Sequence, residues 1–127
     1  MKNIKLFFLV FFVVSTVTSC QNKSSEDSFN ITASELKEAM RSDTNLVILD
    51  VRSPQELVGQ HGQIEGVINI PVQALNERIT ELEGYEGKNF AVICRSGNRS
   101  VTATKIMQAN GYRAKNVLGG MKAYNKL

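Results

Sequence analysis

The sequence is poor in the residues that build disulfide frameworks and aromatic cores: it holds two cysteines, one histidine, two prolines and no tryptophan. Cys20 and Cys94 are too few for a disulfide scaffold, and no Cys-x-x-Cys pair supplies the resolving thiol of dithiol exchange. Four of the six phenylalanines fall between residues 7 and 12, so beyond residue 28 only Phe29, Phe90 and three tyrosines remain. Any core must therefore be mainly aliphatic. Charge of one sign is also scarce. The formal +3 includes Lys2 and Lys5, and without residues 1–19 it falls to 13 basic against 12 acidic side chains. Nothing in that balance suggests a nucleic-acid partner, since the basic excess mostly leaves with residues 1–19. Internal repeats and low-complexity stretches are absent.

What is present begins with an address. Lys2 and Lys5 precede the unbroken apolar run Leu6 to Val14, followed by small residues. The run is shorter than the roughly 20 residues of a membrane-spanning helix, and it has no polar face that would suit a core helix. Basic start, short apolar core and small residues predict a secretory signal over 1–19. Val17-Thr18-Ser19-Cys20 resembles the bacterial lipobox, which implies that Cys20 is diacylated and anchors the chain in a membrane as an exported lipoprotein, periplasmic or at the cell surface. Ordinary secretion with Cys20 left as a stray thiol is the alternative. Residues 20–28 have the composition of a polar tether. With Cys20 lipidated, Cys94 is the one free thiol of an exported domain, a pattern that marks a reactive cysteine.

From Phe29 to the end, apolar runs alternate with amphipathic stretches. Thr32 and Glu35 form a capping-box pattern that opens a helix through about Met40. Leu46–Leu49 and Phe90–Ile93 are continuous β-type runs suited to strands buried on both faces. Gly66–Ile70 reads as a strand stopped by Pro71, and Val72–Leu82 carries apolar residues at helical spacing. Ser100–Asn110 reads as a helix closed by Gly111, Lys115–Leu118 as a last strand, and Gly119-Gly120 as the lead into a terminal helix. Alternating strands and helices predict an α/β domain over 29–127, with a central, mostly parallel sheet flanked by helices. In such a sheet ligands bind beyond the carboxyl ends of the strands. Two of those ends carry polar chemistry: Asp50 and Arg52, and the segment Cys94 to Arg99.

Cys94-Arg95-Ser96-Gly97-Asn98-Arg99-Ser100 joins a buried strand to a helix. A loop in that position turns successive backbone N–H groups inward at a helix N-terminus and makes an anion cradle. Its amides, with Arg95 and Arg99 nearby, would favour the Cys94 thiolate, the attacking form. An inert buried cysteine would not need two arginines and a glycine in the next five positions. Ile93 to Ser100 is similar to the active-site loop of single-domain rhodaneses. Leu49-Asp50-Val51-Arg52 with Glu56, Gly66 to Pro71, and Gly111-Tyr112 with Asn116 to Met121 agree in order, over about residues 30 to 125. The resemblance implies a rhodanese-like fold and a Cys94 persulfide. It implies transfer of sulfane sulfur from thiosulfate or a persulfide to cyanide, a small thiol or a protein thiol, without metal or organic cofactor.

Gly62-Gln63-Ile64 departs from the family's Gly-His-Ile, His61 lies out of register and reads as a surface residue, and Tyr124 stands where many members have tryptophan. Arg95 is expected to bind an anionic donor or to remain a solvated charge. Arg99 is expected to hold the loop, and Ser96, Gly97 and Asn98 to offer backbone N–H groups. Asp50 and Arg52 either buttress the loop as a charged pair or touch substrate; Glu56 reads as structural. Two other functions stay in view. One is a sulfur relay or partner-binding module, with a protein sulfur donor or acceptor. The other is a cysteine phosphatase or arsenate reductase, whose loops are longer than the four residues between Cys94 and Arg99.

Overall fold

The computed structural model describes residues 28–127; the signal segment, Cys20 and the tether up to residue 27 lie outside the described residues. In chain order the elements are β1 (Asn30–Ile31), α1 (Ala33–Ser42), β2 (Leu46–Asp50), α2 (Pro54–Leu57), β3 (Ile68–Asn69), α3 (Leu75–Arg78), β4 (Asn89–Ile93), α4 (Asn98–Ala109), β5 (Arg113–Val117) and α5 (Gly120–Tyr124). The five strands form one sheet in the order β1-β5-β4-β2-β3, and every pairing is parallel.

The strand alternation sorts the core into two layers. Phe90, Val92 and Cys94 face one side with Leu49, Val51, Ala103 and Met107. Ala91 and Ile93 face the other with Ile48, Leu36 and Met121. The first layer packs beneath α4 and the second beneath α1 and α5. Cys94 thus continues the α4-facing row of β4.

Local signals account for several boundaries. Thr32 caps α1: its hydroxyl accepts from the Glu35 amide at 3.1 Å, while the Glu35 carboxylate accepts from the Thr32 amide at 2.7 Å. Three expectations are corrected. The stretch 66–70 contributes only Ile68 and Asn69 to the sheet, because Gly66 takes φ +79° and Pro71 has no N–H to give. Val72–Leu82 is not one helix: a single turn of α-helix, α3, sits between 3₁₀ turns Val72–Ala74 and Ile79–Leu82. Leu75 and Leu82 still reach the core, so the spacing is honoured without a continuous helix. The helix expected from Ser100 begins two residues earlier, at Asn98, inside the cysteine loop.

Candidate active site

β2 and β4 are neighbours in register, Asp50 opposite Ile93, so their carboxyl ends place Asp50–Arg52 beside the Cys94 loop as parallel topology requires. The loop wraps the sulfur. Cys94 is 1% exposed. Its Sγ accepts from the Gly97 amide at 3.1 Å and lies 3.3 Å from the Ser100 hydroxyl. Gly97 has φ +99°, and a Cβ there would stand 3.1 Å from the Gly119 amide nitrogen, so the turn that aims its N–H at the sulfur needs glycine. Beneath the loop, the Met121 and Lys122 amides donate to the Cys94 and Arg95 carbonyls at 2.8 and 3.0 Å. Gly120 permits this approach; a Cβ on it would lie 2.3 Å from the Cys94 carbonyl oxygen. The Gly119-Gly120 pair therefore serves the loop as a floor.

Burial pushes the Cys94 thiol up. The Ser100 hydroxyl and amide, then the Gly97 and Ser96 amides, outweigh that burial and hold the thiol below its ordinary value. The loop amides and the Ser100 hydroxyl supply this stabilisation, and Arg99 lies close enough for its charge to interact with Cys94. Both terminal nitrogens of Arg99 are committed to Glu56, at 2.7 and 2.8 Å. Arg95 is exposed on the loop, and its guanidinium has no carboxylate partner among the described residues. Asn98 opens α4, and its amide is not among the donors to the sulfur. Ser100, not singled out from the sequence, is the side chain hydrogen-bonded to the sulfur. It was legible as the hydroxyl residue closing the loop. Replacing Ser100 with alanine is expected to raise the Cys94 pKa by about one to two units, since a hydrogen bond to a charged group contributes roughly 1.5–3 kcal/mol. The pH midpoint of iodoacetamide alkylation measures it.

Asp50 and Arg52 are 0% and 1% exposed. Arg52 Nε and Nη2 bind the two oxygens of Asp50 at 3.0 and 2.7 Å, a bidentate pair. Nη2 also donates to the Gly62 carbonyl at 2.8 Å and Nη1 to the Glu56 carbonyl at 3.3 Å. Asn69 Nδ2 donates to the Asp50 and Arg52 carbonyls, both at 2.9 Å. The pair is thus a strut between β2, α2 and the 59–62 turn. Glu56 continues it: the carboxylate takes both Arg99 nitrogens and the Ser53 amide. Arg99 foremost holds the Glu56 carboxyl down, to about 2. That stabilisation is full above the ordinary value of 4.5 and is lost as pH falls toward 2. Both partners are about a third exposed (33% and 31%), so after solvent screening Glu56→Gln should cost only about 1 kcal/mol at pH 6. Thermal melts of wild type and variant should converge by about pH 2.

His61 is half-buried. With Arg95, Arg52 and Gln60 it lines a groove of about 320 Å³ beside the loop.

Residues 32–127 match the family model described as Rhodanese-like domain. The chain belongs to the rhodanese-like family. Rhodanese-like relatives include the Bacillus subtilis protein YtwF, whose name assigns it provisionally to the sulfurtransferases; it is 33% identical over 94 residues, 74% of this chain and 87% of that one. The thiosulfate sulfurtransferase PspE of Escherichia coli is 32% identical over 74 residues, 58% of this chain and 69% of its own length. A rhodanese-related protein from Thermoplasma volcanium superimposes with a TM-score of 0.68 at 36% identity, over 76% of this chain and 90% of that one. The chain is thus a rhodanese-like sulfurtransferase-family protein in fold and sequence.

Proposed function

We propose that this protein transfers sulfane sulfur through a persulfide on Cys94. The observation that carries the reading is the sulfur's setting: a buried Sγ under the Gly97 amide and beside Ser100, held below the usual thiol pKa by hydrogen-bond donors. The thiolate attacks the outer sulfur of an anionic donor such as thiosulfate. A new S–S bond forms at Cys94, the donor's S–S bond breaks, and sulfite leaves with the electron pair. The persulfide anion then occupies the space ringed by the loop amides, which stabilise it as they stabilise the thiolate. Cyanide, a small thiol or a protein thiol takes the outer sulfur and regenerates the Cys94 thiolate. Arg95, exposed at the loop rim, attracts the anionic donor. No step calls for a metal or organic cofactor.

Phosphate-ester chemistry is the poorer fit, because a phosphoryl group needs the loop arginine on its oxygens, and Arg99 is held on Glu56. Intact-protein mass spectrometry after thiosulfate, then after cyanide, tests the reading. One sulfur atom gained on Cys94 and then lost as thiocyanate supports it. No gain from a folded protein shifts the reading to a dedicated protein donor.

Location belongs to the same proposal: Cys20, lipidated, anchors the domain in a bilayer through residues 20–28. Cys20→Ala is expected to move most of the protein from the membrane fraction to the soluble one; unchanged fractionation would remove the anchor.

A further inference from the structure

Ser100 has one hydroxyl hydrogen and two neighbours that compete for it. Cys94 Sγ is 3.3 Å from its oxygen, and Asn116 Oδ1 is 2.6 Å away. Cys94, Ser100 and Asn116 are 1%, 0% and 1% exposed, so water does not supply a substitute donor. The geometry follows from the sheet. Asn116 lies two residues beyond Ala114 on β5, on the face toward α4, and Ser100 is in the first turn of α4. The Asn116 amide is held in place: its Nδ2 donates to Asn30 Oδ1 at 2.8 Å and its backbone N–H donates to the Phe29 carbonyl at 2.8 Å. Its Oδ1 is thereby presented to Ser100.

The two protonation states of the sulfur make opposite demands on this chain. As a thiol, Cys94 donates S–H to the Ser100 oxygen, Ser100 donates to Asn116, and every group is satisfied. As a thiolate, the sulfur only accepts. The Ser100 hydrogen must turn to it, and the buried Asn116 oxygen is left without its donor, a costly state. We infer that Asn116 is a positioning residue which contests the Ser100 hydrogen with the Cys94 sulfur and so restrains ionisation of the thiol. Its edge-strand partner Asn30 holds it in that role. Besides Lys105 of α4, which lines the same groove as Asn116 and Gly97, the charged groups near the sulfur are Arg95 in the loop, Arg99 on α4, and Asp50 and Arg52 at the end of β2. Asp50 pairs with Arg52 and Arg99 with Glu56, and none of the four is bonded to Ser100 or Asn116. The restraint therefore acts through one hydroxyl.

This deepens the reading of Cys94 as nucleophile and takes its functional meaning from it, but the test follows the thiol itself. The full chain is alkylated with iodoacetamide across pH, and modification is read at the Cys94 peptide by mass spectrometry. Asn116→Leu, similar in volume and without an acceptor, is expected to lower the midpoint by about one pH unit, a tenfold rise in thiolate fraction below it. In a Ser100→Ala background the same substitution should move the midpoint not at all. A midpoint that stays or rises in Asn116→Leu, or an equal fall in both backgrounds, overturns the inference. Asn116→Asp guards against a misfolded leucine variant. Its carboxylate grips the hydroxyl and should raise the midpoint more with Ser100 present than in Ser100→Ala. Equal shifts would mean that only its charge acts, and would also overturn the inference. Loss of thiosulfate turnover bears on the sulfur-transfer reading and leaves these titrations unaffected.

Discussion

Cys94→Ala is expected to abolish sulfur loading and turnover entirely, while the fold survives. The first half follows from uniqueness: among the described residues Cys94 is the one free cysteine, and no neighbouring side chain is a thiophilic nucleophile that would carry the sulfur in its place. The second half follows from scale. Removing a buried sulfur leaves a small void and frees the Gly97 amide of one acceptor, which together cost on the order of 1–2 kcal/mol. For a domain of this size that is a fall in Tm of roughly 4–15 °C, well short of unfolding at room temperature. Mass spectrometry after thiosulfate and a thermal melt of the same sample separate the two statements. A sulfur atom still gained at another residue would displace Cys94 from its role.

The largest effect on stability is expected from the strut beside the loop. Arg52→Met leaves Asp50 buried, charged and without its bidentate partner, and removing one member of such a pair costs about 3–5 kcal/mol. The Gly62 and Glu56 carbonyls lose a donor as well. Total stability of a small domain is about 5–15 kcal/mol, so the variant should be marginal at 25 °C by urea unfolding. Asp50→Asn/Arg52→Met should recover part of the loss, because no isolated carboxylate remains. A single variant within about 1 kcal/mol of wild type would mean that water reaches Asp50 and that the strut is dispensable.

How legible the site was depends on how local its determinants are. The Thr32–Glu35 capping box and the run from β4 into Cys94 are contiguous in sequence, and each was readable there because the partner groups lie within a few residues. Asp50 and Arg52 were readable as a pair at a strand end, with buttress and substrate contact both open. Their burial, and the Gly62 carbonyl that completes the guanidinium's bonds, belong to a turn ten residues away. Arg99 was readable as a residue that holds the loop, but not its partner, because Glu56 lies 43 positions earlier. β1 is two residues long and exists because β5 offers it a parallel edge 86 positions on, a pairing with no local pattern.

The sequence by itself determined the α/β class, the aliphatic core, the family and the one cysteine placed after a buried strand at a helix start, since periodicity, composition and loop chemistry are properties of neighbours along the chain. Tertiary structure alone decided what surrounds the sulfur. The Ser100 hydroxyl, the Asn116 and Asn30 carboxamides behind it, and the Gly120 backbone beneath the loop come from separate elements. They meet only because three neighbouring parallel strands, β1, β5 and β4, bring their carboxyl ends to one edge of the sheet.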